Sequence, residues 1–170
     1  NQAEKKPDET MLKGLFAAFE DPYPYVRLLA LNHLNEHDNN RIRPRDIEQA
    51  ASRLVSNDPE IKKLAAEVLG RTGARAHACI PALTSLLSEE QKEIRWAAAN
   101  ALGEIGPASV ESLDELIHCL SDTEKEVRWS AANAIGRIGS VSENQLARIR
   151  ILLKTGENQI RWAAAHAMGK

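Results

Sequence analysis

Apolar residues along the chain recur at spacings of three and four, the mark of helices that each bury one face. One block of this pattern returns almost unchanged. Ile94 to Gly103 reads IRWAAANALG, Val127 to Gly136 reads VRWSAANAIG, and Ile160 to Gly169 reads IRWAAAHAMG, each 33 residues after the last. Ile61 to Gly70 (IKKLAAEVLG) lies 33 residues before the first of these, and Val26 to Asn35 (VRLLALNHLN) 35 residues before that. With Val26, Ile61, Ile94, Val127 and Ile160 as origin, apolar or small residues recur at +3, +4, +7 and +8, His33 at +7 of the first block excepted, which predicts five helices with one buried stripe each.

A second helix precedes each of these. Counting back 14, 11 and 7 residues from the origins gives three further apolar columns. They are Leu12, Ile47, Ile80, Leu113, Leu146; then Leu15, Ala50, Leu83, Leu116, Ile149; then Phe19, Leu54, Leu87, Leu120, Leu153. No charge interrupts any of them, so each unit reads as a helical hairpin. The punctuation agrees. Asp21-Pro22 and Asp58-Pro59 put a capping carboxylate and then a proline at the start of the second helix, where a missing N–H costs nothing. Gly73, Gly106 and Gly139 stand at +12 as C-terminal stops. Gly70, Gly103, Gly136 and Gly169 lie inside the helix at +9, where glycine is unfavourable. Close approach of a neighbouring helix or of a ligand backbone is the expected compensation.

The Val/Ile-Arg pair, the Ala-Ala tract and the Leu-Gly-x-Ile-Gly ending (Leu102-Gly103-Glu104-Ile105-Gly106) resemble the HEAT-repeat family, in particular the short bacterial-type repeats found in phycobilin lyases. The resemblance covers about residues 9–170 and implies an all-α fold, a right-handed α-solenoid (superhelix) of five HEAT-type hairpins in one domain. The units span about 9–38, 44–73, 76–106, 109–139 and 142–170, after a polar leader at 1–8. The resemblance also implies a ladder of ion pairs between units, from a basic column (Arg27, Lys62, Arg95, Arg128, Arg161) to an acidic one five residues before each origin. The acid is present as Asp21, Glu89 and Asp122 but replaced by Ser56 and Thr155, so the ladder is expected to be incomplete.

Opposite the buried stripe lie positions +2, +6 and +9, the face that lines the concave side in such arrays. The +2 column reads Leu28, Lys63, Trp96, Trp129, Trp162, and the +6 column Asn32, Glu67, Asn100, Asn133, His166. All three tryptophans of the chain thus share a column, each one turn before an amide or imidazole on the same helix face. Indoles offer a large apolar surface with a donor, and the amides can pair with a peptide unit. The arrangement is similar to the Trp-x-x-x-Asn array of importin-alpha armadillo repeats, with the tryptophan about one turn earlier relative to the Val-Arg pair. The expected ligand-binding set is therefore Trp96, Asn100, Glu104, Trp129, Asn133, Arg137, Trp162 and His166. The rival reading has the indoles sealing the seams between repeats.

Composition narrows the rest. Aromatic residues are only 4% and the formal charge is −2, and at +10 the signs alternate through Glu36, Arg71, Glu104 and Arg137, with Lys170 last. A nucleic-acid backbone would demand a basic track, so the expected partner is a protein or extended peptide. Cys79 and Cys119 sit at apolar positions and read as reduced core thiols, which favours a cytoplasmic setting. No apolar run has the length of a membrane span. The chain starts at Asn1 without methionine and is read as a processed or excised piece of a larger protein. His33-Leu34-Asn35-Glu36-His37 matches an H-x-x-E-H zinc pattern. Its histidines fall on core-facing or seam-facing positions with no third ligand, so no metal and no cofactor are expected. The cluster Arg41, Arg43, Arg45 reads as a solvated turn. No catalytic constellation emerges, and the reading is a non-enzymatic binding scaffold. The alternatives are a phycobilin-lyase-like subunit that holds a chromophore and a structural spacer.

Overall fold

The computed structural model describes residues 9–23, 26, 30 and 44–169. Among these residues there is no strand, and the helices are α1 (Glu9–Ala17), α2 (Pro44–Arg53), α3 (Pro59–Arg71), α4 (Ile80–Ser85), α5 (Lys92–Ile105), α6 (Leu113–Cys119), α7 (Lys125–Ile138), α8 (Glu143–Thr155) and α9 (Asn158–Met168). They form hairpins α2/α3, α4/α5, α6/α7 and α8/α9, stacked in chain order into an α-solenoid. The second helix of the first hairpin, with His33 and His37, the leader, and Arg41 and Arg43 lie outside the described residues.

Local chemistry sets the boundaries. Asp58 accepts the Glu60 N–H at 2.9 Å and Pro59 opens α3, as the Asp-Pro pair predicts. Ser142 and Gln145 cap α8 reciprocally, the Gln145 Oε1 accepting the Ser142 N–H at 3.0 Å. Units three and four begin differently. The 3₁₀ segments Gly73–Cys79 and Gly106–Ser112 bend at Ala76 and Ser109 before α4 and α6 start. Gly139 ends α7 in the left-handed region, φ 76° and ψ −20°, its N–H donating to the Ile135 carbonyl at 3.0 Å. Gly106 has the same φ but ψ −140°, a combination essentially confined to glycine.

The core is the set of columns seen in the sequence. Ala50, Leu83, Leu116 and Ile149 are completely buried, as are Leu69, Leu102 and Ile135 at +8. At the last unit the equivalent Met168 is 41% exposed, and Leu152 and Leu153 are only partly covered.

Two of the +9 glycines, Gly70 and Gly103, set how closely the second helices pack, while Gly169 lies just past the end of its helix. A Cβ on Gly70 would stand 2.7 Å from the Ala101 Cα, and one on Gly103 would stand 2.8 Å from the Ala134 Cα. The compensation for glycine inside these helices is thus a neighbouring helix. Bare glycine on alanine lets α3, α5 and α7 approach closely, and second helices contact one another far more extensively than first helices do. A tighter inner layer bends the stack so that the second helices line its concave side.

The inter-unit ladder also forms. Lys62 pairs with Glu89, and Arg95 holds Asp122 through Nε and Nη2, both at 2.8 Å. Its Nη1 donates to the carbonyls of Glu89 and Glu90. Arg128 makes the matching bonds to the Asp122 and Thr123 carbonyls at 2.6 and 2.9 Å, and where Thr155 replaces the acid its Nη2 donates to the Gln159 side chain instead. Gln159 thus takes the acceptor place that a carboxylate holds in the preceding seam.

Candidate functional site

Helices α5, α7 and α9 start side by side on the concave side, and each carries its tryptophan in its first two turns. Trp96, Trp129 and Trp162 line one groove of about 510 Å³ with Lys125, Glu126, Arg128, Asn158 and Gln159. Trp96 is partly buried against the core, whereas Trp129 and Trp162 are 49% and 52% exposed. The stripe is an open apolar surface along two of its three members. Exposed aromatic surface of this kind is uncommon away from interaction sites.

The amide and imidazole one turn later are tied into the framework. Asn133 donates from Nδ2 to the Trp129 carbonyl at 3.1 Å, and its Oδ1 lies 2.9 Å from the His166 Nε2. His166 in turn stacks on Trp162, with ring centroids 5.2 Å apart and planes 6° from parallel. One chain of contacts therefore runs from α7 through Asn133 and His166 to the Trp162 ring and fixes that ring's orientation. Asn100 holds the equivalent place on α5 and is half-buried; it does not line the groove.

Glu104 and Arg137 lie elsewhere. With Arg71 they border a second concavity, about 410 Å³, floored by Gly70, Gly73, Gly103 and Gly106. Burial raises the carboxyl of Glu104, opposed by the charges of Arg71 and Arg137. The same holds for Glu67, raised by burial against the pull of Lys63 and Arg71. The eight residues read as one surface from the sequence thus divide into an indole groove at the starts of the second helices, a bracing pair (Asn133, His166) beside it, a charged basin (Glu104, Arg137) at their ends, and Asn100, which joins none of these.

Sequence reasoning missed Lys125, Glu126, Asn158 and Gln159. They stand one and two residues before the origins, in the first turn of each second helix, where they sit beside the tryptophan of the preceding unit. Their register was available in the repeat; their proximity to another unit's indole needed the packing. Among the described residues no group of three metal-ligating side chains occurs, and no helix is long and apolar enough to cross a membrane. Cys79 and Cys119 are buried and unpaired; burial pushes the Cys119 thiol up to about 11, aided by Asp122.

With this geometry in view, the family model for HEAT repeats matches residues 47–123 and 80–169. The chain belongs to the HEAT-repeat family. No curated protein sequence matches it significantly. Among solved structures it is similar to an engineered protein (21% identity, TM-score 0.70, 92% of this chain and 77% of that one). It is also similar to a designed armadillo repeat protein in complex with the peptide (KR)4 (19%, 0.67, 92% and 80%). A third is the complex of CpcE and CpcF of phycocyanin lyase from Nostoc sp. PCC7120 (16%, 0.70, 95% and 99%). At these identities the likeness is one of fold.

Proposed function

We propose that the chain is a non-catalytic scaffold that binds a protein or an extended peptide in the groove lined by its second helices. The observation that carries this reading is the convergence of all three indoles on one groove while two remain half exposed. Side chains kept for sealing repeat seams would be covered; Trp129 and Trp162 are left open. Partner capture by large, rigid aromatic anchors is the usual energetic pattern of interfaces. The fold is compatible with it, since a designed armadillo protein of similar shape is in complex with a peptide. The alternating charges of Arg71, Glu104 and Arg137 in the second concavity favour a polypeptide over a phosphate backbone. Two buried, unpaired thiols suit a reducing, cytoplasmic setting.

A second reading has one observation of its own. The phycocyanin lyase complex matches nearly end to end, 95% of this chain against 99% of that one, and an indole-lined groove also suits a flat tetrapyrrole.

The two are separated by selecting binders to the intact chain from a displayed library of random dodecapeptides, alongside titration with a free bilin. The scaffold reading expects enriched peptides that shield the indoles from acrylamide quenching. Absence of enrichment, or binders that leave quenching unchanged, would overturn it. Bilin uptake with a shifted visible spectrum and no peptide capture would establish the second reading.

A further inference from the structure

The two ends of the indole groove differ in charge, and this difference specifies a ligand. The residues two and one before the origins are Lys92-Glu93, Lys125-Glu126 and Asn158-Gln159 in successive units. Beside Trp96, a recess of about 190 Å³ is lined by Lys92, Glu93, Trp96 and Glu126. Trp96 and Glu126 also line the main groove, so the two are continuous. At the opposite end, between Trp129 and Trp162, the neighbours are the neutral Asn158 and Gln159.

The cations nearby are largely committed. Lys92 donates to Glu124 at 3.2 Å. Arg128 is buried and spends its guanidinium on two carbonyls and Gln159. Lys125 is 80% exposed and only 3.9 Å from Glu126, a loose surface pair of little energetic weight that a ligand cation can displace. Glu93, Glu124 and Glu126 outnumber Lys92 and Lys125, so this end carries a net negative charge beside the Trp96 ring, whereas Asn158 and Gln159 supply no carboxylate at the other. A carboxylate pair beside an indole face favours an ammonium or guanidinium and repels an anion.

Resting on the peptide-groove reading, we infer that the site selects an extended segment carrying a lysine or arginine at its Trp96 end and an apolar side chain at its Trp162 end. Neighbouring helices stand about 8–10 Å apart, two such steps separate Trp96 from Trp162, and an extended chain advances about 3.3 Å per residue, so the two side chains lie roughly five to six positions apart. The charge gradient gives the groove a direction as well as a selectivity, with Glu126 as its main determinant because it borders both compartments.

The test is to repeat the dodecapeptide selection on the intact chain and on the double variant E93Q/E126Q. Both carboxylates are exposed, and circular dichroism verifies that the variant keeps its helicity. The wild-type pool is expected to fix a lysine or arginine and an apolar residue at the stated separation. The variant pool should keep the apolar residue and lose the cationic one. A selected peptide should bind the variant about tenfold more weakly, and replacing its cation by glutamine should then weaken binding no further. Enrichment of acidic peptides, or a cationic preference undiminished in the double variant, would overturn the inference while leaving the groove intact. Failure of either protein to enrich any peptide would overturn the groove reading and this inference with it.

Discussion

Gly103→Ala isolates the contact that sets the curvature of the stack. In an isolated helix the change should help, by about 1 kcal/mol, because alanine has the better helix propensity. Here the new methyl would stand 2.8 Å from the Ala134 Cα and 3.0 Å from its Cβ. Both are well inside van der Waals contact, and one of them is backbone that cannot rotate away. Relief requires α5 and α7 to separate by several tenths of an ångström along an interface that buries Leu102 and Ile135 completely. Overpacking of this kind costs about 1–3 kcal/mol. Net of the propensity gain, the variant should lose up to about 2 kcal/mol, or up to roughly 8 °C in Tm for a chain of this size. Gly14, also helical but with nothing within 4 Å of where its methyl would stand, is the matched control. Gly14→Ala should leave Tm unchanged or raise it. Thermal unfolding followed by circular dichroism reads both. A Gly103→Ala variant that is stabilised like Gly14→Ala would refute the claim that close helix approach fixes this glycine.

The packing sets two further expectations. Asp122 is 10% exposed against Arg95; burial alone would raise its carboxyl, but the Arg95 and Glu124 hydrogen bonds and the Arg95 and Arg128 charges hold it below the usual range. Its folded pKa is thus below its unfolded one, so its contribution is complete above about pH 4 and is lost as pH falls through the folded value. Asp122→Asn should lower stability by about 2 kcal/mol at neutral pH and flatten part of the acid-unfolding curve, checked by urea titrations at several pH values. Separately, α9 lacks cover on its outer side, with Met168 exposed where Leu69, Leu102 and Ile135 are buried. Residues 155–170 should therefore exchange their amides faster than residues 91–138, and uniform protection would contradict this.

Much of the fold was legible because a repeat states its rules several times. The column Ala50, Leu83, Leu116, Ile149 is apolar in sequence and fully buried in space, and the +9 glycines announced a close approach that Ala101 and Ala134 supply. Thr155 at an acid position foretold a missing ion pair, but not that Arg128 would find Gln159 instead. The 3₁₀ openings of units three and four were not foreseen, since apolar spacing fixes which face is buried and not how the preceding turn is wound. In the site, the indole stripe was visible as a column within one helix type. Glu126 and Gln159 were not, because they meet the indoles only across the seam between units. The division of Glu104 and Arg137 from the indoles has the same origin: residues two turns apart on one helix share a face and still border different concavities.

The measurement that bears most directly on the indole groove pairs affinity with stability in Trp129→Ala. The Trp129 side chain is central in the stripe and 49% exposed, so its truncation removes an anchor while disturbing little packing. Against a peptide selected on the wild-type chain, the variant should lose about 2 kcal/mol or more of binding, roughly thirtyfold in Kd. Its Tm should stay within about 2 °C of wild type. A marked fall in Tm with affinity unchanged, measured well below unfolding, would contradict the account and return the tryptophans to the repeat seams.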